Sequence, residues 1–259
     1  FKVDALFVHA HPDDESLDFG VLISRFAAAG MKVAVVLMTD GNSGLDQYPQ
    51  RIENDRYPPY DLRGSALAEV RVIEAQSALE ILGAHHYVRL GLMNHPYGSG
   101  LDVLSAFSVT NAWGGEDALV SQLSALILGY RPDVVISPEG PAEAFEHFEH
   151  EATGRLVEKT LSGLAESGLY LPKGRLVSID PLQRAMYSDT IGIRADVEHP
   201  QSGLNHRGVQ IAALSEHVTQ RDASIIGVEN LSGFDREYYR MLDWSIMLPI
   251  EEYLRDLSF

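Results

Sequence analysis

The chain alternates short, continuous apolar runs with amphipathic stretches of helical period. Residues 4–11 (DALFVHAH) and 32–41 (KVAVVLMTDG) are apolar almost throughout, the pattern of strands covered on both faces. Between them, a segment from about Ser16 to Ala29 reads as a helix, with Gly30 placed to end it. Two buried strands joined by one helix make a βαβ unit with parallel strands. The alternation continues along the chain. A helix is predicted from about Ser65 to Leu82, apolar at Leu67, Val70, Ala75, Ala78, Leu79 and Leu82 and stopped by Gly83. A strand follows at 85–92, then a helix at about 116–129 carrying Leu119, Leu123, Leu126 and Ile127. A strand at 132–140 and a helix from about His150 to Leu164 complete the run. This order predicts an α/β fold: a Rossmann-like, doubly wound, mostly parallel sheet flanked by helices, in one domain over residues 1–259.

Two polar stretches without period, 41–64 and 93–115, read as long loops of the kind that carry function. From about 172 the pattern loosens. Residues 184–197 (RAMYSDTIGIRADV) have room for one or two strands, and 205–220 (NHRGVQIAALSEHVTQ) reads as a helix. The segment 236–257 is amphipathic and aromatic-rich, suited to cover the sheet, line a site or form a homo-oligomer contact. No repeat or linker divides the chain.

Composition narrows the chemistry. There are 37 acidic and 20 basic residues, for a formal net charge of −17, and no Lys/Arg cluster. Nucleic acid and anionic membrane surfaces are therefore not expected as partners, because phosphate neutralisation needs a basic patch. A neutral or cationic small molecule is easier to admit. With no cysteine, any metal site must be built from His, Asp and Glu. The absence of cysteine and of any run of about 18 apolar residues fits a cytoplasmic protein. The start at Phe1 rather than Met leaves a trimmed N-terminal signal open.

The densest chemistry lies in 8–16 (VHAHPDDES). In an open parallel sheet, ligands bind beyond the carboxyl ends of the strands, and this motif sits at that end of the first strand. Pro12 turns the chain out of the strand, and the acids that follow fall at a helix start, where the dipole tolerates them. Any one acid there is an ordinary helix-start residue. His11 with Asp13, Asp14 and Glu15 in five positions is a cation site in outline. A second cluster, His147, Glu149 and His150, follows the fourth strand, which neighbours the first in the common doubly wound order. His9 lies within the strand and reads as a buried core imidazole. His85 and His86 open an edge-like strand and read as surface. His217, on the apolar side of the late helix, suits core packing and support of the site equally.

AHPDDE at the end of the first strand, with HFEH (147–150) in place of the usual His-Pro-Asp-His, resembles the PIG-L/LmbE-like de-N-acetylases. LMTDGNSG, EVRVIEAQSALEILGA and RGVQIAALSEHVTQ resemble further motifs of that family in the same order along the chain. The resemblance implies a zinc centre with His11, Asp14 and His150 as ligands; ferrous iron also suits a His/His/Asp set. It implies Asp13 as general base. It implies His147 as the group that stabilises the oxyanion or protonates the leaving amine, and Glu149 as the carboxylate that orients an imidazole. The implied activity is removal of an N-acetyl group from an N-acetylglucosamine-type small molecule. Hydrolysis of another amide or ester, such as a thiol-sugar conjugate, and a non-catalytic sugar-binding role are the rival readings. Arg71 matches an arginine that contacts the substrate sugar in some relatives; the plainer reading is a helix-surface pair with Glu74. Asn94 stands where several relatives grip sugar hydroxyls with an aspartate, and Phe145 where some have a tyrosine. Glu15 is left as a helix-start acid or a support for the site.

Overall fold

In the computed structural model the described residues are 1–44, 46, 62–94, 105–139, 148–180, 184–220, 227–229 and 231–242. The elements in chain order are β1 (Ala5–His9), α1 (Asp14–Leu17), α2 (Gly20–Ala28), β2 (Val33–Thr39), α3 (Gly64–Leu82), β3 (His86–Leu92), α4 (Ala106–Ala112) and α5 (Glu116–Tyr130). Then come β4 (Val134–Pro138), α6 (Phe148–Glu166), β5 (Gly174–Ile179), β6 (Thr190–Arg194), α7 (His206–Leu214) and β7 (Arg236–Leu242). The strands form one sheet in the order β3-β2-β1-β4-β5-β7-β6. Neighbours from β3 through β5 run parallel; β7 is antiparallel to both β5 and β6.

Every residue of β1, β2 and β4 is buried, because helices cover both faces of the sheet. Successive side chains of a strand point to opposite faces. Phe7 packs with Phe19, Leu22, Phe26, Leu79 and Val209 on the side of α2, α3 and α7. Leu6 and Val8 pack with Met38, Leu123, Leu156 and Val157 on the side of α4, α5 and α6. The turn in strand order falls at β1, with β2 on one flank and β4 on the other, and that is where the two clusters of candidate site residues start.

The structure departs from the sequence expectation in several places. The first helix is two helices: α1 ends at Leu17 and α2 begins at Gly20. The break is held from outside. Glu237 of β7 accepts hydrogen bonds from Val21 N (2.6 Å) and Leu22 N (2.9 Å), and Tyr239 donates to Asp18 O (3.0 Å). The carboxylate caps a helix whose own N-cap, Phe19, has no side chain able to do so. Segment 236–242 is thus a strand inserted between β5 and β6 rather than an amphipathic cover; residues 243–257 lie outside the described set. The late helix is also shorter than expected. It runs from its Asn205 cap, which accepts from Gly208 N (2.8 Å), to Leu214, and the chain then turns through a single 3-10 turn at Val218–Gln220. α4 and β5 carry too weak a pattern to read from the sequence. The segments 47–61 and 95–104 of the two long loops lie outside the described set.

Burial pushes the Glu237 carboxyl up to about 7, against the pull of Arg207 and of the Val21 and Leu22 amides. The folded value lies above the ordinary 4.5. The stability linked to that proton is therefore fully present below about pH 4.5 and fades as pH rises through about 7. Glu237→Ala strips the acceptor from Val21, Leu22, Gln210 and Tyr239, and urea denaturation should report a loss of about 2–4 kcal/mol. In Glu237→Gln the part of the stability slope between pH 5 and 8 that comes from this group should vanish; an unchanged slope would show that another group titrates.

Candidate metal and catalytic centre

At the carboxyl end of β1 the chain leaves the sheet through Ala10, whose carbonyl is held by Thr39 N and Thr39 Oγ1, both at 2.9 Å. It turns at Pro12 and enters α1 at Asp14. One oxygen of Asp14, Oδ2, accepts from Ala10 N (2.9 Å) and His11 N (2.8 Å). The other, Oδ1, lies 3.5 Å from His150 Nε2. His150 stands in the first turn of α6, which leaves the sheet beside β1 because β4 pairs with it. His11 Nδ1 is 2.9 Å from His150 Nε2 and 3.7 Å from Asp14. The ligand atoms of His11, Asp14 and His150 all lie within 4.8 Å of one another, and all three residues are buried.

That donor set fits a divalent cation. Zinc bonds of roughly 2.0–2.1 Å in a tetrahedron separate ligand atoms by roughly 3.3 Å, close to the spacings between these three groups. The remaining nitrogen of His11, Nε2, faces Glu149 Oε2 at 2.5 Å. A carboxylate there holds the proton on Nε2 and makes Nδ1, the nitrogen facing His150, the one that would bond a cation. Burial works against charge on His11, but Asp14 and Glu149 outweigh it and push the imidazole up to about 9. Burial also opposes ionisation of Asp14; His150 and His11 overcome it and hold that carboxyl well below the usual range.

Asp13 faces a different set of partners. Burial and the adjacent Asp14 charge push its carboxyl up to about 7. Its backbone φ is 118°, a region that residues with a side chain rarely adopt. Asp13 N donates to Glu15 Oε2 (3.1 Å), and Glu15 Oε1 meets His217 Nε2 at 2.5 Å. Burial opposes the charges on Glu15 and His217, and each offsets it for the other: Glu15 is lowered, His217 raised. His217 is thus joined to the HPDDE turn through Glu15, and it sits beyond the end of α7 rather than on its apolar face. His9 is buried as expected, its Nδ1 2.8 Å from the His11 carbonyl. β3 is the sheet edge, and His86 there packs edge-on against Phe1.

Arg71 is not a helix-surface residue. It is buried, donates to Gly41 O (2.8 Å), and lies so close under Gly44 that a Cβ there would meet the guanidinium at 2.1 Å. Glu74 instead binds Thr219, accepting from its backbone N–H at 2.8 Å and its hydroxyl at 2.7 Å. Asn94 is engaged at both ends of its amide: Oδ1 accepts from Ser43 N (3.3 Å) and Nδ2 donates to Glu149 (2.6 Å). His147 and Phe145 lie outside the described residues. Sequence reasoning left Gln220 without a role, although it lies in one of the quoted motifs. The structure brings its side-chain amide to Asp13.

Comparison with known proteins agrees with this geometry. The family model described as "PIG-L: GlcNAc-PI de-N-acetylase" matches residues 6–161. A 1D-myo-inositol 2-acetamido-2-deoxy-alpha-D-glucopyranoside deacetylase of Mycobacteroides abscessus is 30% identical over 247 residues, covering 87% of this chain and 86% of the relative. The protein of the same name from Corynebacterium urealyticum is 31% identical over 169 residues, and there the match spans 63% of this chain and about half (49%) of the relative's length. Among solved structures, the N,N'-diacetylchitobiose deacetylase of Pyrococcus horikoshii superposes with a TM-score of 0.62 at 15% identity, covering 96% of this chain and 89% of that one, which speaks for the fold. With the family model matched over more than half its length, from β1 into α6, this chain belongs to the PIG-L family of de-N-acetylases.

Proposed function

We propose that the chain is one catalytic domain, a metal-dependent hydrolase that removes the acetyl group from the amide nitrogen of an N-acetylglucosamine-type small molecule. The observation that carries the reading is the meeting of His11, Asp14 and His150 with Asp13 beside them but turned to other partners. Zinc, or ferrous iron, held by His11, Asp14 and His150 would supply Lewis acidity toward water and toward the acetyl carbonyl. Asp13 accepts the proton of the attacking water; its raised carboxyl suits an acceptor working near neutral pH. Glu149 fixes the tautomer of His11. His147 is assigned, by its place in the family motif, to the oxyanion or the leaving amine. Glu15 and His217 hold the Asp13 backbone.

Arg71, near enough to Asp13 to sense its charge, is assigned to the sugar side of the cleft. Asn94, with its amide committed to Ser43 and Glu149, serves by fixing Glu149 rather than by gripping a hydroxyl. Among the described residues no helix is long and apolar enough to cross a membrane.

Acetate release should be measured from 1D-myo-inositol 2-acetamido-2-deoxy-α-D-glucopyranoside and from N-acetylglucosamine. Release that stops with a chelator and returns with zinc is expected; none from either compound with metal bound would defeat the reading. Asp13→Asn should bind zinc as tightly as the wild type while kcat drops by at least about 100-fold. Full activity in that variant would remove Asp13 from the role of base.

A further inference from the structure

Asp13 is held in its strained conformation from the far end of the chain. Gln220, 7% exposed, places its Nε2 on two acceptors of the HPDDE turn: Pro12 O at 2.8 Å and Asp13 Oδ2. Two positions on from His217, Thr219 is fixed to α3 through Glu74. His217 is fixed through Glu15, whose second oxygen takes Asp13 N. The turn 217–220 is thus tied to α3 and to the base at once. No hydrogen bond to Asp13 Oδ1 comes from a described residue, whereas Oδ2 is taken by Gln220.

The geometry points to Gln220 as the positioning residue of the base: its amide occupies Oδ2, fixes the plane of the carboxylate and presents Oδ1 to the water. This rests on the assignment of Asp13 as the proton acceptor. A backbone at φ 118° persists only where its surroundings over-determine it. Here the determinants are the α1 amides Ser16 N and Leu17 N on the Asp13 carbonyl, Glu15 on its N–H, and Gln220, the one side-chain donor to its carboxylate. Removing the donor lets the carboxylate rotate about its own bonds while the metal ligands, pinned by Ala10 N, His11 N and Glu149, stay in place. The effect therefore falls on turnover and not on binding.

Gln220→Met keeps the length and loses the N–H donor; Gln220→Glu keeps the shape and sets a carboxylate against Asp13. Each is compared with the wild type and with Asp13→Asn in three measurements: steady-state kinetics, zinc affinity by competition with a chromophoric chelator, and the crystal structure of the metal-free variant. For Gln220→Met, kcat should fall about 10- to 100-fold, with a larger fall for Gln220→Glu. KM should stay within about twofold of the wild type, and zinc affinity should be unchanged. In the crystal, the Asp13 carboxylate should be rotated from its wild-type plane. Wild-type kcat in Gln220→Met beside an inactive Asp13→Asn overturns the positioning role and spares the base. Turnover retained in Asp13→Asn overturns the base on which the role rests. A parallel loss of zinc affinity, or an Asp13 side chain unmoved in the Gln220→Met crystal, also overturns it, whether or not a substrate has been found.

Discussion

Four carboxylates, Asp13, Asp14, Glu15 and Glu149, are buried at the carboxyl end of β1, Glu149 reaching it through His11. Ions removed from water persist only when each finds partners, and the rest of the molecule is arranged to supply them. Asp14 takes two backbone amides and faces two imidazoles. Glu149 takes His11 and Asn94. Glu15 takes His217 and the Asp13 amide. Asp13 takes a side-chain amide, and burial with the adjacent Asp14 charge raises its carboxyl. On the proposed reading, that difference in partners divides a single acidic cluster into cation ligand, proton acceptor and scaffolding.

Meeting these demands draws on much of the chain. Parallel pairing of β1 with β2 and β4 brings His11 to His150, residues 139 positions apart. α3 contributes Glu74 and Arg71 from beneath the loop that follows β2. The turn after α7 contributes His217 and Gln220. The parts of the site come from packed elements and the turns at their ends, and the described loop residues Asn42 and Ser43 bond Asn94.

How much of this could be read from the sequence depended on distance along the chain. The apolar runs of β1, β2 and β4 revealed themselves because strands buried on both faces admit few polar residues. His11, Asp13 and Asp14 revealed themselves because acids crowded at a strand end have few structural uses. The break at Phe19 was hidden, since nothing local marks it: the capping carboxylate comes from Glu237, and the amphipathic reading of 236–242 gave no hint of a strand placed between β5 and β6. The surface-pair reading of Arg71 failed for the same reason. Its i+3 neighbour Glu74 suggested a surface pair, whereas Glu74 is spent on Thr219 and Arg71 is covered by two glycines. Polar residues far apart in sequence but joined in the interior have no periodic signature.

The placing of β7 bears on how the molecule comes to be folded. Among the described residues β6 joins the sheet through β7, and α2, near the other end of the chain, finds its capping carboxylate on that same strand. During synthesis from the N-terminus, β1 to β4 and their helices have one another to pair with early. The second helix carries unsatisfied amides until Glu237 has emerged more than 200 residues later. Closure is therefore a late, long-range event with a high loop-closure cost, and before it β5 offers an open edge between two segments that have not yet met. The charge at the centre of the site is under the same constraint: His217 and Gln220 arrive only shortly before that strand, so the HPDDE turn completes its set of partners at nearly the last stage of assembly.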